Sequence, residues 1–72
     1  MVTPAQVRAA RALLGIRQAD LAERAGVAVI TVKMFERGSG DPRLSTVKKI
    51  KKELEASGIE FVPGGARFGA AE

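Results

Sequence analysis

The side chains able to do chemistry in this 72-residue chain are few, and most of them are cations. Lys and Arg number 12 against 8 Asp and Glu, which gives a net charge of +4. The pI is near 10.1. There is no histidine and no cysteine. The commonest general base, the thiolate metal ligands and any disulfide are therefore missing. No Ser/His or Cys/His set can be assembled, and no carboxylate pair stands at a recognisable catalytic spacing. Gly64 and Gly65 read as a turn, not as a phosphate-binding loop. An enzyme is not expected, nor a metal or a cofactor. A basic surface suits a polyanion, and nucleic acid is the usual one. Gln18 stands at the start of an expected helix, where free backbone N–H groups and the positive end of the helix dipole attract a phosphate. Arg17 precedes it and adds a second candidate contact. Ser, Thr or Asn would cap the helix better at that position, so a cap is given up for a charge.

Four expected helices must position these groups. In the first, Thr3 and Gln6 form a Thr-x-x-Gln capping box, Pro4 suits the first helical position, and Val2 and Val7 stand as a hydrophobic staple. Val7, Ala10, Leu13 and Leu14 make its apolar face, and Gly15 ends it. The second helix covers about Gln18 to Ala25, with Leu21, Ala22 and Ala25 inward and Gly26 as a left-handed stop. The third runs from about Ala28 to Arg37, with Val32 and Phe35 inward and Gly38 as its stop. Residues 38–42, GSGDP, are a loop by composition. The fourth runs from about Pro42 or Leu44 to Ser57. Its stripe is Leu44, Val47, Ile50 and Leu54, flanked by Lys48, Lys49, Lys51 and Lys52. Residues 59–62, IEFV, alternate as a strand does, 63–65 make a turn, and 66–68 form a second short strand. The last residues, 69–72, read as loose. The fold class is all-α: a four-helix bundle over 1–58 with a β extension and tail over 59–72. No stretch is long and apolar enough to span a membrane, and the N-terminus lacks a signal-peptide core, so a cytoplasmic location is expected.

Two short helices meeting at Gly26, locked by Leu21, Ala22, Val27 and Val32, make a helix-turn-helix. The stretch QADLAERAGVAVITVKMFERG resembles the phage-repressor and Cro family (XRE type) of helix-turn-helix regulators. The matching features are Gln18, Leu21-Ala22, Ala25-Gly26-Val27, Val32 and the Glu36-Arg37-Gly38 ending. DPRLSTVKKIKKEL resembles the helix that follows in that family, so the resemblance covers about residues 5–57. It implies a lambda-repressor-like bundle that binds double-stranded DNA, usually as a homodimer, with the third helix in the major groove and the second crossing the backbone. It also implies an ion pair between Arg11 and Glu36, a phosphate held by Gln18, and an approach of Arg43 to the backbone or minor groove. Lys48 is the best phosphate candidate among the lysines of the fourth helix.

By the family's pattern the third helix turns Val29, Ile30, Lys33 and Met34 outward, with Ala28 and Thr31 at the edge. Family members often carry Gln, Arg, Ser or Asn there, whose paired hydrogen bonds separate one base from another. Here only Thr31 and Lys33 can hydrogen-bond. Three readings follow. The helix still enters the groove, with apolar side chains against thymine methyls and phosphate contacts supplying most of the affinity. Alternatively, Val29, Ile30 and Met34 form an apolar patch for a protein partner, as in an antitoxin or helper subunit. Or the register is off by one and some of them are buried. An isolated strand leaves an unpaired edge, so the extension is expected either to pair with a second copy or to pack back on the bundle. Pairing between copies is favoured, through Ile59, Phe61 and Phe68. The reading is a small bacterial or phage transcriptional regulator, of the repressor kind.

Overall fold

Thr3 starts α1 (Pro4–Leu14) by closing a capping box with Gln6. A computed structural model of the chain describes residues 1–69. After α1 come α2 (Gln18–Ala25), α3 (Val29–Arg37) and α4 (Leu44–Ala56), then the strands β1 (Ile59–Val62) and β2 (Gly65–Phe68). This is a four-helix bundle with a short C-terminal hairpin. The expected loose tail lies, from Ala70 on, outside the described residues.

The turn between α2 and α3 depends on Gly26, whose φ of 72° is left-handed backbone that a side chain would disfavour. The Gly26 amide bonds back to Glu23 and the Val27 amide to Ala22, at 3.3 and 3.0 Å. These bonds satisfy the last carbonyls of α2 and fix the angle at which α3 leaves.

Each helix contributes an inward stripe to one core. Val7 and Ala10 come from α1, Leu21 and Ala22 from α2, Val32 and Phe35 from α3, and Val47, Ile50 and Leu54 from α4. Ile59 of β1 and Val2 complete it. Two apolar residues expected in this core stand outside it. Leu13 lies at the flank of the α1 stripe, where Leu14 takes the inward position, and is 40% exposed. Leu44 has the right spacing from Val47 but is 54% exposed. Its neighbours Arg43 and Ser45 are exposed too, so the first turn of α4 stands clear of the bundle.

β1 and β2 pair antiparallel within the chain, with Ile59 opposite Phe68 and Phe61 opposite Ala66. Alternation puts these four side chains on one face. That face turns toward the bundle: Ile59 is 4% exposed, and Phe61 and Ala66 pack against the core. The other face carries Val62 and, at 3.1 Å, an ion pair between Arg67 and Glu60. Within one chain, Ile59 and Phe61 thus spend their apolar surface on their own bundle. The hairpin folds back because its own bundle already covers its apolar side. Of the three residues expected to meet a second copy, Phe68 alone is largely open, at 55%.

Candidate nucleic-acid interface

The helix-turn-helix is held from behind by one buried carboxylate. Glu36, on the inner side of α3, is 3% exposed. Arg11 of α1 grips it with two bonds, Nε to Oε2 at 2.6 Å and Nη2 to Oε1 at 2.8 Å. The remaining Arg11 nitrogen, Nη1, donates to the Ile16 carbonyl at 3.1 Å. The hydrogen bonds to Glu36 raise the Arg11 pKa above its ordinary value. Gln18, at the start of α2, donates from Nε2 to Glu36 Oε1 at 3.1 Å. Arg8 of α1 donates to the Glu36 backbone carbonyl. One residue thereby ties α1, α2 and α3 together, and every buried side-chain polar atom among the described residues has a partner.

In front of this network lies an open groove lined by Arg8, Gln18, Lys33, Glu36 and Arg37. Arg11 answers the charge of Glu36, so the groove is left with the charge of Arg8, Lys33 and Arg37. None of these three enters an ion pair among the described residues. Gln18 and Lys33 share this flank although they come from different helices.

The outward face of α3 is apolar beside that groove. Ile30 is 54% exposed, Val29 39% and Met34 37%. Val32 and Phe35 fill the inward stripe, which removes the possibility of a register shifted by one. Lys33 is exposed and Thr31 half-buried. Thr31 and Met34 also line a cleft with Phe35 and residues 39–42. There the Met34 methyl lies 3.0 Å from the position a Cβ on Gly40 would take. Met34 is therefore partly committed to packing under the loop, whereas Ile30 is the most open of the three.

Arg17 occupies the N-cap of α2 with no side-chain cap bond of its own, since a guanidinium cannot accept. Asp20 does the work from the other end. Its Oδ2 accepts from the Arg17 amide at 2.9 Å, and its carboxylate pairs with the Arg17 guanidinium at 3.1 Å. These hydrogen bonds, first that of the side chain, lower the Asp20 pKa to about 2. Arg17 is consequently paired, though its side chain remains 83% exposed. Arg43 is the exposed N-cap of α4, and Lys48 is exposed one turn further on. Neither lines the groove of Gln18 and Lys33. Sequence reasoning passed over Arg8, Arg37 and Asp20. The signal for Asp20 was present in its spacing of three from a poor cap, and for Arg8 in its place one turn before Arg11.

A bundle that presents a helix-turn-helix beside an unpaired cationic groove has the architecture of a DNA-binding protein. Comparison with known families agrees. The chain matches the helix-turn-helix family model over residues 7–61 and belongs to that family, in its XRE or Cro-like branch. This is a family of DNA-binding regulatory proteins and not of enzymes. No curated protein matches the sequence closely enough to serve as a relative. No helix of the described residues is long and apolar enough to cross a membrane.

Proposed function

We propose that this protein is a small transcriptional regulator, of the repressor kind, that binds specific double-stranded DNA as a homodimer in the cytoplasm. In this reading α3 enters the major groove and the start of α2 meets the backbone. The observation that carries it is the shared flank: Gln18 and Lys33 line one open groove with Arg8 and Arg37. The Gln18 amide group keeps one N–H for Glu36 and has a second N–H to offer a phosphate oxygen. Arg17, Arg43 and Lys48 extend the phosphate-binding surface. Val29, Ile30, Thr31, Lys33 and Met34 face the base edges.

A salt titration of DNA binding tests this. Gln18→Ala is expected to weaken a preferred duplex and a random duplex alike, by roughly 1 kcal/mol. Lys33→Ala is expected to narrow the difference between the two duplexes. A thermal melt of each variant separates loss of contact from loss of fold. The exposed patch of Val29, Ile30 and Met34 supports a second reading, a protein-interaction module such as an antitoxin or helper subunit. Failure to bind any duplex at low salt would transfer the assignment to that reading.

A further inference from the structure

The outward face of α3 has a chemical bias that narrows what it recognises. Base discrimination in the major groove normally uses paired hydrogen bonds, from Arg or Lys to guanine and from Asn or Gln to adenine. Of these residue types the face carries only Lys33. Val29 and Ile30, its first two residues, are exposed and apolar, and Met34 is half turned under the loop. The only hydrogen-bonding groups are the half-buried Thr31 hydroxyl and the Lys33 ammonium, a flexible point charge without fork geometry. Such a surface can form one kind of sequence-dependent contact well, with an apolar group that projects into the major groove. The C5-methyl of a pyrimidine is that group.

Resting on the DNA-binding reading above, we propose that α3 selects duplex DNA by the C5-methyl groups of its pyrimidines, through Val29 and Ile30. Both side chains are β-branched, so they lose little rotamer freedom when a methyl packs against them. Their surroundings favour this occupant over an apolar protein surface. The patch is bordered by Lys33 and by the groove that holds Arg8, Arg37 and Gln18. A protein docking there would have to desolvate or pair those cations, whereas a duplex brings its phosphates to them. The methyl chemistry is shared by thymine and by 5-methylcytosine. A regulator that reads it would respond to cytosine methylation within its site as well as to thymine.

The test uses duplexes enriched by the full-length protein from a randomised pool, resynthesised in three forms. One is unmodified, one has deoxyuridine in place of thymidine, and one has 5-methylcytosine in place of cytosine. Deoxyuridine removes the methyl and leaves every hydrogen-bonding group in place. Binding is expected to weaken by about fourfold for each contacted methyl lost. Ile30→Ala and Val29→Ala alter exposed positions and leave the core intact. In the double variant the thymidine and deoxyuridine duplexes are expected to bind equally. A loss on deoxyuridine without a gain on 5-methylcytosine assigns thymine as the source of the methyl, and a gain on 5-methylcytosine assigns both. Equal binding of all three forms by the unaltered protein overturns the proposal while the DNA-binding reading stands. Binding of the pool without enrichment of any sequence overturns it in the same way. Absence of duplex binding at low salt overturns both.

Discussion

Glu36 shows what a single residue contributes here, because a buried carboxylate is tolerable only when its partners are in place. Arg11 is the chief partner, with two bonds to the carboxylate. Arg11→Ala leaves Glu36 charged, buried and short of donors, and is expected to cost about 2–4 kcal/mol. Total stability for a chain of this size is roughly 4–11 kcal/mol. The melting temperature should therefore fall by roughly 10–25 °C, readable by circular dichroism. A drop of only a few degrees would mean that water replaces Arg11 at little cost. The surface pair of Arg17 and Asp20 predicts a different signature, in pH. The Asp20 pKa falls from its ordinary 3.8 to about 2 in the folded chain. A carboxylate with a lowered folded pKa stabilises the fold in full above its unfolded value. That contribution is lost as the pH drops toward the folded value. Denaturant melts of the parent should therefore weaken between about pH 4 and 2. Asp20→Asn should show a shallower decline over that window. Glu60, also lowered by its hydrogen bond to Arg67, contributes in the same direction, so Glu60→Gln serves as a parallel control. An unchanged slope in Asp20→Asn would remove Asp20 from the acid response.

At the scale of elements, Gln6 has two roles that mutation can separate. It closes the capping box of α1, with its Oε1 accepting from the Thr3 amide at 2.9 Å. Its Nε2 also donates to the Val62 carbonyl at 2.6 Å, which straps the hairpin to α1. Gln6→Glu keeps the acceptor for the cap but sets a carboxylate against a carbonyl. It should destabilise by about 1–3 kcal/mol, with the loss concentrated in amide-exchange protection of β1 and β2. Gln6→Ala should lower protection of the first turn of α1 as well. Equal loss across the whole chain in both variants would deny the strap its separate role. The first role was legible in the sequence, as Thr and Gln three apart before an apolar run. The second was not, because nothing local pairs residue 6 with residue 62. The same limit explains the other differences. Spacing places Leu44 on the stripe of α4 but does not reveal that the first turn of the helix overhangs the core. Alternation identifies the apolar face of residues 59–68, yet it does not say whether that face meets a second chain or its own bundle. The helix boundaries, the Gly26 turn and the inward pair Val32 and Phe35 rested on short-range signals, and these carried over to the structure. For the candidate site, spacing and resemblance pointed to Gln18 and Lys33. The groove that joins them to Arg8 and Arg37 needed three-dimensional packing to appear.

The whole molecule raises a question of how much DNA one copy can read. α3 has nine residues, and a helix of that length is about 14 Å long. At about 3.4 Å per base pair it spans roughly four pairs. Four pairs recur far too often to mark a site among the roughly 10⁶–10⁹ competing positions of a genome. Specificity therefore requires a second α3, which is the physical argument for the proposed homodimer. One copy measures 36 × 23 × 20 Å, so with either shorter dimension along the duplex two copies fit on one face at a spacing of one turn, about 34 Å. With Ile59 buried and Phe61 half-buried against the bundle, the exposed large apolar residues outside α3 that remain for a contact between copies are Met1, Leu13, Leu44 and Phe68. A contact built from so few residues is weak in solution, so pairing should be completed on the DNA. Binding curves on a preferred duplex are then expected to be cooperative, with a Hill coefficient of about 2. The duplex should carry two related half-sites. Inserting half a turn, about 5 base pairs, between them should abolish cooperative binding, and inserting a full turn should restore part of it. Binding that ignores the spacing, with a Hill coefficient of about 1, would show that each copy acts alone. Specificity would then have to come from contacts outside α3, where Arg8 in the groove and the exposed Arg43 and Lys48 of α4 are the candidate cations.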